Sequence, residues 1–221
     1  MNTRSISRIC GVLYIVTVLA FLICNLVLKE PLVDAEDVSG TLELVADNDL
    51  QYRLAVAIDF LAMVGVMALA FSLFTILKPV GPYLALLALG WRIGEVVLQD
   101  GAKIPDYLLL TLSQSSGTAT AELDYLGQTL IDGSTQALGL SFVFLSIGSI
   151  FNNYLFYKSK TIPASLAIFG LIATALYTLA SVLALFADLP ESALGLMLPL
   201  VLFELLLGFY LARFGMKEET A

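Results

Sequence analysis

Residues 54–77 read LAVAIDFLAMVGVMALAFSLFTIL, and this stretch decides the fold class. Asp59 is its one ionisable residue. About 20 predominantly apolar residues are enough to cross the roughly 30 Å hydrocarbon core of a bilayer as an α-helix. The stretch therefore predicts a membrane-spanning helix that carries a carboxyl group at bilayer depth.

The composition of the whole chain supports the same class. The 221 residues are 59% hydrophobic with a mean hydropathy of +0.91, whereas soluble domains are about 45–50% apolar. We therefore expect an integral membrane protein surrounded by lipids. No Pro/Gly/Ser-rich linker divides the chain, so residues 1–221 are interpreted as a single transmembrane domain.

Hydropathy predicts an all-α bundle of about six transmembrane helices. The six predicted spans are 9–28, 54–77, 82–98, 137–157, 162–187 and 193–212. The third span is short if it ends before Gln99, and a longer helix there is expected to kink or break at Pro105. Two amphipathic segments are expected between spans, one using Val38, Leu42 and Val45 and the other, at the membrane surface, using Leu123, Leu126 and Leu130.

Charge alternates between the loops, which predicts the orientation of the bundle. The basic residues outside the spans that set this pattern are Arg4, Arg8, Lys78, Lys158, Lys160, Arg213 and Lys217. The intervening loops carry the acids Glu30, Asp34, Glu36, Asp37, Glu43, Asp47, Asp49, Asp106, Glu122, Asp124, Asp132, Asp188 and Glu191. Lys and Arg are retained on the cytoplasmic side, so both termini are predicted to be cytoplasmic.

Several chemistries lack their usual residues. The chain contains no His, no Cys-x-x-Cys, no Walker loop and no GxGxxG, so zinc, haem and imidazole catalysis lose their usual groups. Cys10 and Cys24 lie on one predicted helix about 21 Å apart, too far for a disulfide. We expect no metal, no cofactor and, at a net charge of -8, no nucleic-acid partner.

Four ionisable residues fall inside predicted spans: Asp59, Arg92, Glu95 and Glu204. Each costs about 3 kcal/mol at the bilayer centre, so they are expected to face the bundle interior and to share partners. In the third segment the polar residues follow helical spacing and form one stripe. The stripe consists of Arg92, Glu95, Gln99, Lys103 and Asp106. Arg92 is expected to contact at least one carboxylate.

One Arg does not neutralise three carboxylates, which leaves three interpretations. Either at least one acid is protonated, or a cation or polar ligand joins the cluster. A third interpretation is an ion-paired network that only fixes helix register. The candidate ligand-binding or proton-relay residues are Asp59, Arg92, Glu95, Gln99, Glu204, Tyr14, Asn152 and Tyr177.

Short runs along the chain resemble a known family. They are Arg8-Ile-Cys-Gly-Val-Leu-Tyr14, Arg53-Leu followed by Asp59, Arg92-Ile-Gly-Glu95, Tyr154-Leu-Phe-Tyr-Lys-Ser159 with Ile162-Pro163, and Phe203-Glu204-Leu. In this order they resemble the bacterial membrane proteins grouped as domain of unknown function 4386. The resemblance implies a multi-pass protein of the bacterial inner (plasma) membrane and supplies no activity.

Three functional hypotheses remain open at this level. In the leading one, a polar cavity open toward the acidic side binds or transports a small polar or amphipathic solute, with Arg92 holding an anionic group and Glu95 or Glu204 exchanging a proton. The second is a non-catalytic scaffold or lipid-binding protein. The third is an intramembrane enzyme using Asp59, Glu95 and Glu204, which is less favoured because no nucleophile is recognisable.

Overall fold

A computed structural model of the protein describes residues 2–115, 121–187 and 195–216. Within these ranges the chain is helical and has no β-strand. Four helical stretches are long and apolar enough to cross a membrane: Thr3–Leu32, Asp49–Leu77, Ala121–Ser159 and Ala164–Leu183. The predicted class of all-α integral membrane protein is therefore confirmed. Asp188, Glu191 and Lys217, used above for the charge pattern, lie outside the described residues.

Eight α-helices are labelled here in chain order. They are α1 (Thr3–Leu22), α2 (Val38–Asp47), α3 (Asp49–Leu77), α4 (Pro82–Gly101), α5 (Lys103–Ser115), α6 (Ala121–Ser159), α7 (Ala164–Leu183) and α8 (Leu198–Phe214). α1 continues as a π-helical segment, Ile23–Lys29, and a 3-10 turn, Glu30–Leu32. Proline lies in the first turn of α4 and of α8. Backbone N–H groups in a first turn make no intrahelical hydrogen bond, so proline removes none there.

The boundary between α4 and α5 differs from the sequence prediction. The break falls at Ala102, and Pro105 is the third residue of α5. The N–H groups of a helix's first turn have no intrahelical partner, so Pro105 fits the start of α5 without kinking it. Proline here begins a helix instead of interrupting one.

The start of α6 also corrects a prediction. Residues 123–130 were expected to form a separate surface segment, but they are the first turns of a helix of 39 residues, about 58 Å long at 1.5 Å per residue. The residues buried there are Gly127 and Ile131. A Cβ on Gly127 would lie 2.5 Å from Val38 Cγ1. This close packing against α2 joins the segment to the body of the protein.

Six helices form a closed ring. In the order α1, α3, α4, α6, α7, α8, each helix packs against the next, and α8 packs back against α1. The ring closes where two glycines let backbones meet, because a Cβ on Gly11 would lie 2.2 Å from Ala212 N and one on Gly208 would lie 3.1 Å from Gly11 O. Met216 N–H also donates to Ser7 Oγ at 2.9 Å. The six helices are hereafter the ring helices.

A second apolar cluster covers one end of the ring, and we call this region the cap. It comprises the π-helical segment with its 3-10 turn, α2, the start of α3, α5 and the start of α6. Its buried residues are Leu32, Leu42, Val45, Tyr52, Val56, Leu109, Leu110 and Ile131. The predicted amphipathic helix is confirmed as α2, because Leu42 and Val45 are buried and Val38 packs against them.

Basic side chains lie at the end of the ring opposite the cap. Arg4 Nε donates to Phe214 O at 3.4 Å, and Arg8 Nη2 donates to Arg213 O at 3.5 Å. Lys158 Nζ donates to Val80 O at 3.5 Å, which joins the α3–α4 turn to the end of α6. Positive charge thus gathers where α1 begins and α3, α6 and α8 end.

Candidate functional site

A cavity lies at the centre of the ring. Its volume is about 80 Å³, measured as the space open to the centres of water molecules. A single water needs about 10–15 Å³ on this measure, so the cavity has room for several waters or a small organic group. All six ring helices line it, through Tyr14, Thr17, Val18, Phe21, Leu22, Met63, Val66, Leu69, Arg92, Glu95, Gln99, Phe142, Leu145, Tyr177, Leu200, Val201 and Glu204.

Arg92 and Glu95 form an ion pair in the wall of the cavity. Arg92 Nη1 lies 2.9 Å from Glu95 Oε2, one turn apart on α4. The two residues are only 4% and 3% exposed. No described residue supplies a hydrogen-bond partner for Arg92 Nε. The pair is therefore charge-balanced, and the Nε–H of the guanidinium is left without a partner in the described structure.

Glu204 faces the same cavity from α8. It is partly buried, and Arg92 lines the same cavity. Among the described residues no hydrogen bond and no ion pair within 4.0 Å involves the Glu204 carboxylate. The cavity thus holds two carboxyl groups and one guanidinium, and only one carboxyl group is paired.

Aromatic rings form another part of the wall. The Phe142 ring lies edge-on to Phe21, with centroids 6.1 Å apart, and edge-on to Tyr177, with centroids 5.9 Å apart. Tyr14 is buried on the α1 side. Edge-to-face aromatic pairs contribute about 0.5–1.5 kcal/mol beyond their burial, so these contacts help to fix α1, α6 and α7 around the cavity.

A second charged layer lies between the cavity and the cap. The Lys103 ammonium forms an ion pair with Asp59 Oδ2, and Gln99 Nε2 donates to Asp59 Oδ1 at 3.3 Å. Gln99 also lines the cavity, so it connects the two layers. Asp100 is half-buried beside this layer, and its Oδ1 has no hydrogen-bond partner in the described part of the chain.

A third charged layer lies in the cap. Lys29 Nζ approaches Asp106 Oδ1 at 2.7 Å and Oδ2 at 2.8 Å, and it lies 3.3 Å from Ser134 Oγ. Asp106 is buried. The three layers follow α4 and α5 from Arg92 to Asp106, about 21 Å at 1.5 Å per residue.

The predicted polar stripe is observed, but the break at Ala102 divides it between α4 and α5, so it does not follow one continuous helix. All five of its members, Arg92, Glu95, Gln99, Lys103 and Asp106, are buried. Asp59 is buried with them, and Glu204 lies on the cavity. As expected, Arg92 contacts a carboxylate, that of Glu95.

The structure brings together six of the eight candidate site residues. Those lining the cavity are Tyr14, Arg92, Glu95, Gln99, Tyr177 and Glu204. Asp59 stands one layer away, joined through Gln99. Asn152 is buried in α6 away from the cavity lining, near the α6–α7 contact where Asn153 Nδ2 donates to Thr174 Oγ1 at 2.7 Å.

Sequence reasoning missed the apolar and cap members of this arrangement. Phe21 and Phe142 line the cavity, but nothing in the sequence separates them from phenylalanines that face lipid, such as Phe60 and Phe71. Lys29 was placed in a loop, and its partner Asp106 lies 77 positions along the chain. No local spacing pattern reveals a pair so far apart.

The closed helical ring with its apolar exterior and its central charged cavity has the architecture of an all-α integral membrane protein. Across the described ranges no group of three or more Cys, Asp or Glu residues could hold a metal ion. The chain belongs to the family described as Domain of unknown function (DUF4386), whose model matches residues 9–215. Neither a curated protein nor a solved structure matches the chain.

Proposed function

We propose that the protein binds or transports a small amphipathic solute in the cavity at the centre of the ring. The observation that carries this proposal is a cavity of about 80 Å³ that is lined by every ring helix and by the charged side chains Arg92, Glu95 and Glu204. Ligand sites are characteristically apolar pockets with a few converging polar groups. The residues we assign to the site are Tyr14, Arg92, Glu95, Gln99, Tyr177 and Glu204.

The cavity wall combines apolar and charged side chains, which favours an amphipathic ligand. Phe21, Leu22, Met63 and Val66 supply apolar wall, while Arg92 and the acids supply charge. An ionisable residue within a membrane span is costly and marks ligand or ion pathways. A solute with one polar and one apolar part satisfies both sides of the cavity.

The proposal also includes the topology. The six ring helices span a bacterial plasma membrane, and both termini lie in the cytoplasm. α4 is less apolar than the four long helices because it carries Arg92, Glu95 and Gln99, but these face the cavity and not the lipid. α8 has 17 residues, about 26 Å of helix. The gathering of positive charge at one end supports the orientation.

Reporter fusions test the orientation. Fusions after Lys29 and after Lys158 are expected to report opposite sides of the membrane, because these residues lie at opposite ends of the ring. A matching pair of reporters on one side would refute the six-span arrangement.

A cavity-filling variant tests solute binding. Native mass spectrometry of the purified protein should detect a bound small molecule that Val66→Trp removes, because Val66 lines the cavity. Val64→Trp is the matched control, since Val64 is 54% exposed on the outer surface of the same helix. If Val66→Trp does not fold, Val66→Leu fills less space and is expected to weaken binding without abolishing it. Retention of the molecule by a folded Val66→Trp protein would contradict the assigned site.

A scaffold is the competing function, and the fully paired Lys29–Asp106 layer favours it. Buried ion pairs can fix packing without any chemistry. If no solute binds the wild-type protein, and Glu204→Gln changes only the melting temperature, the charged layers are a structural network and the solute proposal fails.

A further inference from the structure

We infer that the solute bound in the central cavity is a small organic monocation and that Glu204 is its counter-ion. This inference rests on the proposed function, because it names the charge and chemical class of that solute.

Of the two carboxyl groups in the cavity wall, that of Glu204 has no cationic partner in the described part of the chain. Three ionisable groups other than tyrosine line the cavity: Arg92, Glu95 and Glu204. Arg92 is balanced by Glu95 at 2.9 Å. Glu204 has no ion pair within 4.0 Å among the described residues. A partly buried carboxylate without a partner is costly to ionise, and a ligand with one positive charge stabilises the ionised form and leaves the cavity neutral.

The contacts of Arg92 disfavour an anionic ligand. The guanidinium is already engaged by Glu95, and an added anion would meet two carboxyl groups in the same cavity. A cationic ligand differs from the sequence-based expectation that Arg92 holds an anionic group. The unpartnered Arg92 Nε remains a donor for an uncharged oxygen, either a water or a hydroxyl, ether or carbonyl group of the ligand.

The rest of the wall selects an organic cation over an inorganic one. Alkali and alkaline-earth ions are bound through several oxygen ligands, whereas this wall is built mainly of aliphatic and aromatic side chains. Tyr14, Phe142 and Tyr177 supply aromatic rings to the same cavity. Aromatic faces attract ammonium groups by cation–π interaction, so an ammonium group can pair with Glu204 while its apolar substituent packs against Phe21 and Val66.

Three probes of similar shape and different charge test this inference. They are phenethylammonium, phenethyl alcohol and 3-phenylpropionate, titrated by calorimetry into the full-length protein in nanodiscs of uncharged lipid. We expect phenethylammonium to bind at least tenfold more tightly than the alcohol, and the alcohol more tightly than the carboxylate. Sodium chloride should weaken binding of the ammonium probe no more than a sodium-free salt does at the same ionic strength.

The possible results separate the inference from the proposed function. Preferential binding of 3-phenylpropionate, or specific displacement by sodium, would overturn the cationic ligand and leave a solute-binding cavity. Binding of none of the probes would count against both. Equal binding of all three would support a solute cavity and overturn the role of Glu204 charge.

Glu204→Gln isolates the counter-ion. The substitution keeps the side-chain shape and removes the charge, so the affinity for phenethylammonium should fall at least tenfold, to that of the alcohol, whose own affinity stays unchanged. Glu43→Gln is the matched control, because Glu43 is exposed on α2 and should leave both affinities unchanged. Unaltered ammonium binding by Glu204→Gln would overturn the inference. If this variant does not fold, the charge selectivity of the wild-type protein decides the question alone.

Discussion

The cap and the cavity use similar side chains in different proportions. In the cap, one ammonium group, that of Lys29, meets one carboxylate, that of Asp106, at 2.7 Å. In the cavity, one guanidinium, that of Arg92, meets Glu95 and leaves Glu204 without an ion pair in the described structure. Both regions contain charged side chains that are wholly or partly buried. The cavity differs from the cap because one of its carboxyl groups is unpaired and because empty space adjoins it. These two properties distinguish a candidate binding site from a structural contact.

The middle layer, between the cavity and the cap, is balanced like the cap. Lys103 is paired with Asp59, and Gln99 donates to the other oxygen of Asp59. Gln99 belongs to both the cavity and this layer. Gln99 therefore gives the cavity a hydrogen-bonded link to the middle layer, whereas the Lys29–Asp106 pair of the cap is held by contacts of its own.

The largest expected loss of folding stability comes from removing Arg92, the cation of the cavity. Arg92→Ala leaves Glu95 without its partner in a buried position, and breaking a buried pair costs about 3–5 kcal/mol. Thermal unfolding in detergent should show a large fall in melting temperature. Arg53→Ala is the control, since the side chains of Arg53 and Asp49 are 47% and 41% exposed and such a pair contributes at most about 1 kcal/mol. Equal losses in the two variants would show that the cavity charges are as well hydrated as those at the surface.

A smaller effect is expected in the cap. Lys29→Met leaves buried Asp106 without its cation, for a loss of about 1–3 kcal/mol, with the Lys29 side chain itself 22% exposed. The double variant Lys29→Met/Asp106→Leu removes both charges and should recover most of that loss. Chemical unfolding of the single and double variants measures this coupling. Phenethylammonium affinity should stay the same in the folded double variant, and a loss of affinity would place the cap inside the binding site.

The smallest expected effect is a gain in folding stability instead of a loss. Glu204→Leu removes a carboxylate that lacks an ion pair and leaves Arg92 balanced by Glu95, so it should raise stability by up to about 1 kcal/mol. Ammonium binding should be lost in the same variant. Glu43→Leu, at an exposed position of α2, controls for the added apolar side chain. A fall in melting temperature with Glu204→Leu would mean that Glu204 is a structural partner of Arg92.

Helical periodicity explains why so much of the site could be predicted. The steps of three and four from Arg92 to Asp106 place five polar residues on one face, and all five are buried in the structure. The cost of charge in lipid then fixes the direction of that face. Asp59 and Glu204 were included by the same argument, although their neighbours on other helices were not predicted.

Contacts between distant segments explain what the sequence could not supply. The continuous α6 depends on Gly127 packing against Val38, and the ring closure depends on Gly11 meeting Ala212. The pairing of Lys29 with Asp106 joins residues 77 positions apart. Each of these follows from tertiary packing, which overrides local preference and leaves no periodic signal along the chain.

The pairing of Arg92 with Glu95 on one helix bears on the order of assembly during synthesis. α4 emerges from the ribosome long before α8, so the guanidinium needs a partner before Glu204 has been translated. Glu95, one turn away, is synthesised almost at once and lets α4 enter the bilayer with its charges already matched. Glu204 arrives last, when α8 docks on α1 through Gly11 and Gly208. The unpaired acid of the finished protein is thus contributed by the helix that completes the ring.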